Sequence, residues 1–133
     1  MPSPKSARQP VGRYERVRRL ALTLPGVEDG TSYGTPALKV RGKVLARLRD
    51  EDGALVIKVG TMMERDFLLA HESDVFFITE HYREYPSVLV RLDVVSESTM
   101  IELLEAAWRR AAPKKLIAEY DALKTAAQVL TTQ

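Results

Sequence analysis

Between Leu38 and Leu48 apolar and cationic residues take turns along the chain. Leu38, Val40, Val44, Ala46 and Leu48 fall on even positions, and Lys39, Arg41, Lys43, Arg47 and Arg49 on odd ones. Side chains alternate faces along a strand, so the pattern predicts two strands with one apolar and one basic face. Gly42 supplies the tight turn between them, and Asp50-Glu51-Asp52-Gly53 a second turn into a third strand, Ala54 to Val59. Before this meander, Tyr14, Val17, Ala21 and Leu24 recur at helical spacing, which predicts a helix over Arg13 to Leu24 that Pro25-Gly26 stops. Glu28 to Pro36 reads as a polar loop punctuated by Gly30, Gly34 and Pro36.

The second half of the chain continues in the same idiom. Thr61 and Glu64 have the spacing of a capping box, which opens a short helix from Met62 to about His71. Two apolar strands follow, Val75 to Thr79 and Ser87 to Val94, with the polar aromatic segment His81-Tyr82-Arg83-Glu84-Tyr85-Pro86 between them. A helix beginning near Thr99, with Glu102 completing a second capping box, carries the apolar stripe Met100, Leu104, Ala107, Trp108 and Ala111. Pro113 ends it or opens a last helix, Lys114 to about Leu130, because proline is tolerated in a first turn. The order is α-β-β-β-α-β-β-α-α. It fits an α+β fold, a single antiparallel sheet with helices packed on one face. Met1 to Gly12 reads as a flexible N-terminal tail, and 13–133 as one domain without internal repeats.

Composition narrows the function classes. The chain holds no cysteine, which removes disulfides, zinc ribbons and thiol nucleophiles together. The N-terminal stretch lacks the apolar run of a secretory signal, and no run is long enough for a membrane span, so the expected setting is cytoplasmic. A net charge of +2 says little, but its distribution says more. Six cations stand against Glu15 between Met1 and Arg19, and five cations against no acid between Lys39 and Arg49. Eight acids face only Lys58 and Arg65 between Asp50 and His81, so the molecule is expected to be dipolar.

Four segments in order resemble the MmcQ/YjbR family of small bacterial domains. They are Leu24-Pro25-Gly26-Val27-Glu28, Tyr33-Gly34-Thr35-Pro36-Ala37, Val40-Arg41-Gly42-Lys43-Val44 and Ala112-Pro113-Lys114-Lys115-Leu116, within a likeness that runs from about Gly12 to Tyr120. The resemblance implies a frataxin-like two-layer α+β fold and DNA binding through a double-wing arrangement of strands and turns. Many relatives carry a basic Lys-Arg-His-Trp-type stretch before the late strand, where this chain has Tyr82-Arg83-Glu84-Tyr85-Pro86. Glu84 and Pro86 make that stretch less cationic and stiffer.

The leading functional expectation is therefore a non-enzymatic DNA-binding domain. Lys39, Arg41, Lys43, Arg47 and Arg49 form its cationic ribbon against phosphates, extended by Arg16, Arg19, Lys114 and Lys115 if the helices flank that edge. The plainer reading is a solvated sheet face whose cations deter edge pairing. The alternative is a small-ligand or protein-partner module built on His81, Tyr82, Arg83 and Tyr85, whose rings and cations suit an aromatic anion. Its plainer counterpart is a loop whose tyrosines cover the core edge. His71, Glu72, Asp74 and His81, and the Asp50-Glu51-Asp52 turn, contain metal-ligand residue types but read more simply as a helix end and a solvated turn. No cofactor is implied. Phosphate loop, nucleophile elbow and paired-histidine motifs are all missing from the sequence.

Overall fold

The computed structural model describes residues 10–49 and 53–131. The alternating segment forms the middle of a six-stranded antiparallel sheet, ordered β1-β2-β3-β4-β6-β5. The strands are β1 (Val27–Ser32), β2 (Thr35–Val40), β3 (Lys43–Arg49), β4 (Ala54–Lys58), β5 (Phe76–Phe77) and β6 (Ser87–Arg91). Four helices join them: α1 (Tyr14–Ala21), α2 (Met62–His71), α3 (Glu97–Ala111) and α4 (Lys114–Thr131). The α3 helix lies over β3 and β4, α2 over β5 and β6, and α1 beside α3. All three thus cover the same face of the sheet. The fold class expected from the pattern is the one observed.

That covered face holds the main core. Leu38, Val40, Leu55, Ile57, Val88 and Val90 from the strands meet Val17, Ala21, Met100, Leu104 and Trp108 from the helices, all essentially inaccessible to water. The opposite, outer face carries a small second cluster of Ala54, Val56 and Leu89, with Phe77 and Tyr82 packed on it. Among the described residues no helix is long and apolar enough to cross a membrane.

Local details depart from the expected elements for physical reasons. Glu28 to Pro36 is not a loop, since β1 forms there and pairs with β2 from Val27↔Val40 to Ser32↔Thr35. An edge strand buries little, and of β1 only Val27 is buried, so its sequence carries no hydrophobic alternation. The α1 helix stops at Ala21 rather than Leu24, and Leu24 remains buried in the turns that follow. In α2, Thr61 Oγ1 accepts from the Glu64 N–H at 3.1 Å, and the Glu64 carboxylate accepts from the Gly60 N–H at 2.9 Å. The α3 cap is Ser96, whose hydroxyl accepts from the Thr99 N–H at 3.2 Å, so that helix starts two residues before the expected box. Most of the expected N-terminal tail and the Asp50–Asp52 turn lie outside the described residues. Pro10 to Gly12 are tied to the domain: Pro10 pairs with Ser96, and the Val11 N–H donates to the Val95 carbonyl at 2.9 Å.

The last helix packs on the core through its first half. Leu116, Ile117 and Tyr120 pack on the core, while every residue from Asp121 to Leu130 is exposed. Tyr120 donates to Glu105 Oε1 at 2.7 Å, and Arg109 bonds Asp121 at 2.7 Å. The Tyr120 bond, ahead of the Lys124 and Arg109 contacts, holds the Glu105 carboxyl below its ordinary range, and the Arg109 bond does the same for Asp121. Burial, then Glu105, pushes the Tyr120 phenol up to about 12. A carboxylate with a lowered folded value stabilises above its unfolded value and loses that contribution as pH falls through the lowered one. A tyrosine with a raised value contributes below about pH 10, the free value, and loses its contribution towards 12. The α4 contact should therefore hold across neutral pH and loosen at both extremes. Trp108, whose ring meets Tyr120 edge-on at 5.0 Å, reports this by fluorescence. Glu105→Gln should weaken the contact at neutral pH and flatten the acid limb of the profile. An unchanged acid limb would remove Glu105 from the account.

Candidate functional site

Strand pairing decides which cations share a surface, because directly opposed residues point to the same face. Arg47 opposes Val56 and Arg49 opposes Ala54, so both lie on the outer face with the second apolar cluster. Lys39 lies on that face too, directly across from Glu28 on β1. Lys43 does not. The pairing of β2 with β3 shifts between Leu38 and Lys39, leaving Leu45 as an extra residue, and Lys43 opposes the core residue Val40. The bulge flips the alternation halfway along β3, which the even–odd pattern cannot register. Arg41 occupies the hairpin turn with φ 50°, followed by Gly42 with φ 80°.

The helical cations are further removed. Arg16 is paired with Glu97 at the start of α3, and Arg19 reaches Glu15 at 3.7 Å. Both belong to the helical layer, as do the exposed Lys114 and Lys115 at the start of α4. The nine cations expected to make one phosphate-contacting surface are therefore divided between the two sides of the sheet.

The structure instead joins one of them to the aromatic segment. A cavity of about 640 Å³ opens on the outer face, lined by Arg47, His81, Tyr82 and Tyr85 together with Ser32, Tyr33, Val44, Leu45, Val56, Lys58 and Ser87. Five stretches contribute: the β1–β2 turn, β3, β4, the residues around the 3-10 turn Glu80–Tyr82, and the start of β6. Pairing of β4 with β6 carries the aromatic segment over the sheet, next to β3. Arg47 is the hub. Its guanidinium lies 5.4 Å from the centre of the Tyr33 ring, and its Nη2 donates to the Tyr82 hydroxyl. His81 meets Tyr82 edge-on at 4.8 Å and stacks near Tyr85 at 6.2 Å.

Arg83 is the exception in the aromatic segment. Its side chain turns outward to Glu80 at 3.2 Å and does not line the cavity. Its carbonyl accepts instead from Arg65, a side chain of α2 that is only 8% exposed. Arg65 Nη1 reaches the carbonyls of Arg83, Tyr85 and Tyr82 at 2.6, 3.3 and 3.4 Å, while Nε and Nη2 bond Asp66. One buried guanidinium thus gathers the backbone that presents both cavity tyrosines. Of the metal-type residues, His71 ends α2, with Nδ1 3.0 Å from the Phe67 carbonyl and its ring stacked on Phe67. His81 is spent on tyrosine rings.

Tyr33, Lys58, Ser87 and Arg65 carry no sequence signal that singles them out for the site. Tyr33 comes nearest, since a bulky aromatic ahead of glycine is unusual in a two-residue hairpin turn, where Asn, Asp or Gly is the ordinary choice. A second cavity, about 480 Å³, lies between α2 and α3 and is lined mainly by apolar residues such as Val59, Met63, Phe67 and Leu103.

Comparison with known proteins agrees with this architecture. The crystal structure of the Deinococcus radiodurans protein DR2400, a DUF419 domain, superposes with a TM-score of 0.62 over 76% of this chain and 79% of its own, at 20% identity, which shows a shared fold. A 50-residue stretch is 44% identical to the uncharacterized proteins Rv2570 of Mycobacterium tuberculosis and Mb2600 of Mycobacterium bovis. It spans 38% of this chain and 39% of theirs, so the chain matches about two-fifths of those relatives' length. The family model described as YjbR matches residues 22–110, from the end of α1 through nearly all of α3, and the chain belongs to the YjbR family.

Proposed function

We propose that the protein is a non-catalytic binding module whose recognition site is the outer-face cavity, and that its ligand is a small anion carrying a planar ring. The observation that carries this reading is the convergence of Arg47 and Lys58 with Tyr33, Tyr82, Tyr85 and His81 around one 640 Å³ space. That volume lies in the range of pockets that enclose small organic molecules, and a few convergent polar groups among rings are their usual lining. Arg47 is already oriented by Tyr82 and Tyr33, and a guanidinium has five N–H donors, so most remain for an anion. The histidine packs on tyrosine rings rather than on a serine hydroxyl, which supports binding over turnover.

Binding of duplex DNA is the second reading. Lys39, Arg47, Arg49 and Lys58 share the outer face, which supports it. Against it, Lys39 faces Glu28 and the helical cations lie across the sheet. The two readings separate in titrations of the full chain. A panel of aromatic carboxylates and ring-bearing phosphates, followed by thermal shift and calorimetry, should contain ligands that raise the melting temperature. Arg47→Met should weaken their binding roughly 10- to 100-fold, the loss expected when charge-assisted hydrogen bonds are removed. Labelled duplex should show at most weak binding. If the panel is silent while duplex binds with a steep log-linear salt dependence, the cavity reading fails and the strand-face reading takes its place.

A further inference from the structure

We infer that Tyr33 is a recognition residue, and that the cavity takes a nucleoside phosphate with its base against the Tyr33 ring and its phosphate between Arg47 and Lys58. The inference rests on the cavity being the binding site and adds the ligand class and the residue that selects it.

Tyr33 is held at φ 51° and the following Gly34 at φ 77°, in a two-residue turn closed by the Ser32↔Thr35 pair. Positive φ at both central positions is the conformation that hairpins fill with Asn, Asp or Gly, and a bulky side chain there is strained. The residue is also 91% exposed, so it contributes almost nothing to the core. Two unfavourable features thus coincide at one residue that folding does not need. What the position does offer is a free aromatic face at the rim of the cavity, above the Arg47 guanidinium. Backbone strain of this kind gathers at ligand clamps. Arg41 has the same backbone conformation in the next turn but does not line the cavity, so strain alone is not the argument.

The ligand class follows from charge and layout. Arg47 on β3 and Lys58 on β4 are two cations on adjacent strands, lining one cavity. A phosphate monoester carries close to two negative charges at neutral pH, whereas an aromatic carboxylate carries one. Tyrosine rings provide stacking surface that any nucleobase can use, and the Ser32 and Ser87 hydroxyls offer hydrogen bonds to a sugar or base edge. A free mononucleotide and the 5′-phosphorylated end of a single strand present the same chemistry.

The experiment is calorimetric titration of the full chain with the four nucleoside 5′-monophosphates, adenosine, inorganic phosphate, salicylate and a 5′-phosphorylated oligothymidine. These are run on the unaltered protein, Tyr33→Asn and Tyr33→Trp. At least one monophosphate should bind more than tenfold tighter than adenosine, inorganic phosphate or salicylate. Tyr33→Asn should weaken that binding roughly 5- to 100-fold, the range for loss of one stacked base. Its melting temperature should hold or rise, because asparagine suits the turn better than tyrosine. Tyr33→Trp, which restores a ring, should bind within a few-fold of the unaltered protein. Tighter binding of the oligonucleotide than of the monophosphates would identify the strand end as the source. Retained affinity in Tyr33→Asn, or loss in both variants, overturns the role of Tyr33. Binding of salicylate without any monophosphate overturns the ligand class and leaves the cavity reading standing. Silence from every ring-bearing anion, here and in the wider panel, overturns both.

Discussion

Replacing Trp108 with alanine is expected to destabilise the protein by about 3–5 kcal/mol, the range for truncating a large buried aromatic. Trp108 is wholly inaccessible and lies where α3 crosses the sheet. Its indole N–H donates to the Pro25 carbonyl at 2.8 Å, which ties α3 to the turn between α1 and β1. Its ring also makes a T-shaped contact with Tyr120, the residue that fastens α4. Truncation therefore opens a cavity, strands a carbonyl and removes the seat of a helix at once. A domain of this kind has about 5–15 kcal/mol in total, so the variant should unfold at low denaturant. Urea unfolding followed by far-ultraviolet circular dichroism measures this, since Trp108 is the chain's single tryptophan. Trp108→Phe keeps most of the volume and should cost markedly less. A loss below about 1 kcal/mol in the alanine variant would mean that the α1–α3–sheet junction is not the stability centre of the fold.

Trp108 was legible as core because its neighbours Met100, Leu104 and Ala107 recur at helical spacing, and burial follows directly from that period. Alternation did the same for the central strands, while the Thr61–Glu64 capping box marked α2 and Pro113 marked α4. Local pattern failed where periodicity has no purchase. In β1, Glu28, Asp29, Thr31 and Ser32 mask a strand whose partners, rather than whose own apolar content, hold it in place. Arg18 adds a clamp on the helical side, with Nε 2.9 Å from both carboxylate oxygens of Asp29.

The site was readable in pieces and not as a whole. Arg47 and the aromatic segment each stood out by residue type, yet they lie 35 positions apart and belonged to competing readings. Their junction depends on β4 pairing with β6 and on the parity change at Leu45. Neither is written in local pattern, because cross-strand order is decided by packing of the whole sheet. The two-residue Arg41-Gly42 turn sets Lys43 against Val40 and so apart from Lys39, and the parity change then sets Lys43 apart from Arg47 and Arg49 along its own strand.

Arg65→Met is expected to cost about 2–4 kcal/mol and to remove ligand binding by the cavity with it. In the sequence Arg65 is one of two cations in an acidic stretch, with nothing to mark it. In the fold it is a buried charge whose Nη1 faces three carbonyls of the segment Tyr82–Tyr85. Its ion pair with Asp66 adds little, since Asp66 is 63% exposed and water screens it. The carbonyl contacts matter more, because methionine fills the stem's volume but takes away the donor to the Arg83 carbonyl, while the Tyr82 and Tyr85 carbonyls keep the Tyr85 and Ser87 N–H groups. Tyr82 and Tyr85 then lose the anchor that sets their rings against Arg47 and His81. Asp66→Asn, by contrast, should change stability by less than about 1 kcal/mol and leave binding intact. Denaturant unfolding and titration with a cavity ligand, run on both variants, separate the two contributions. If Arg65→Met keeps stability and affinity, the segment is held by its own 3-10 turn, in which Tyr82 N–H bonds Thr79 at 2.9 Å. If it loses both while Asp66→Asn loses neither, the cavity depends on a side chain that never touches its contents. Function would then rest on α2, on the far side of the sheet from the ligand.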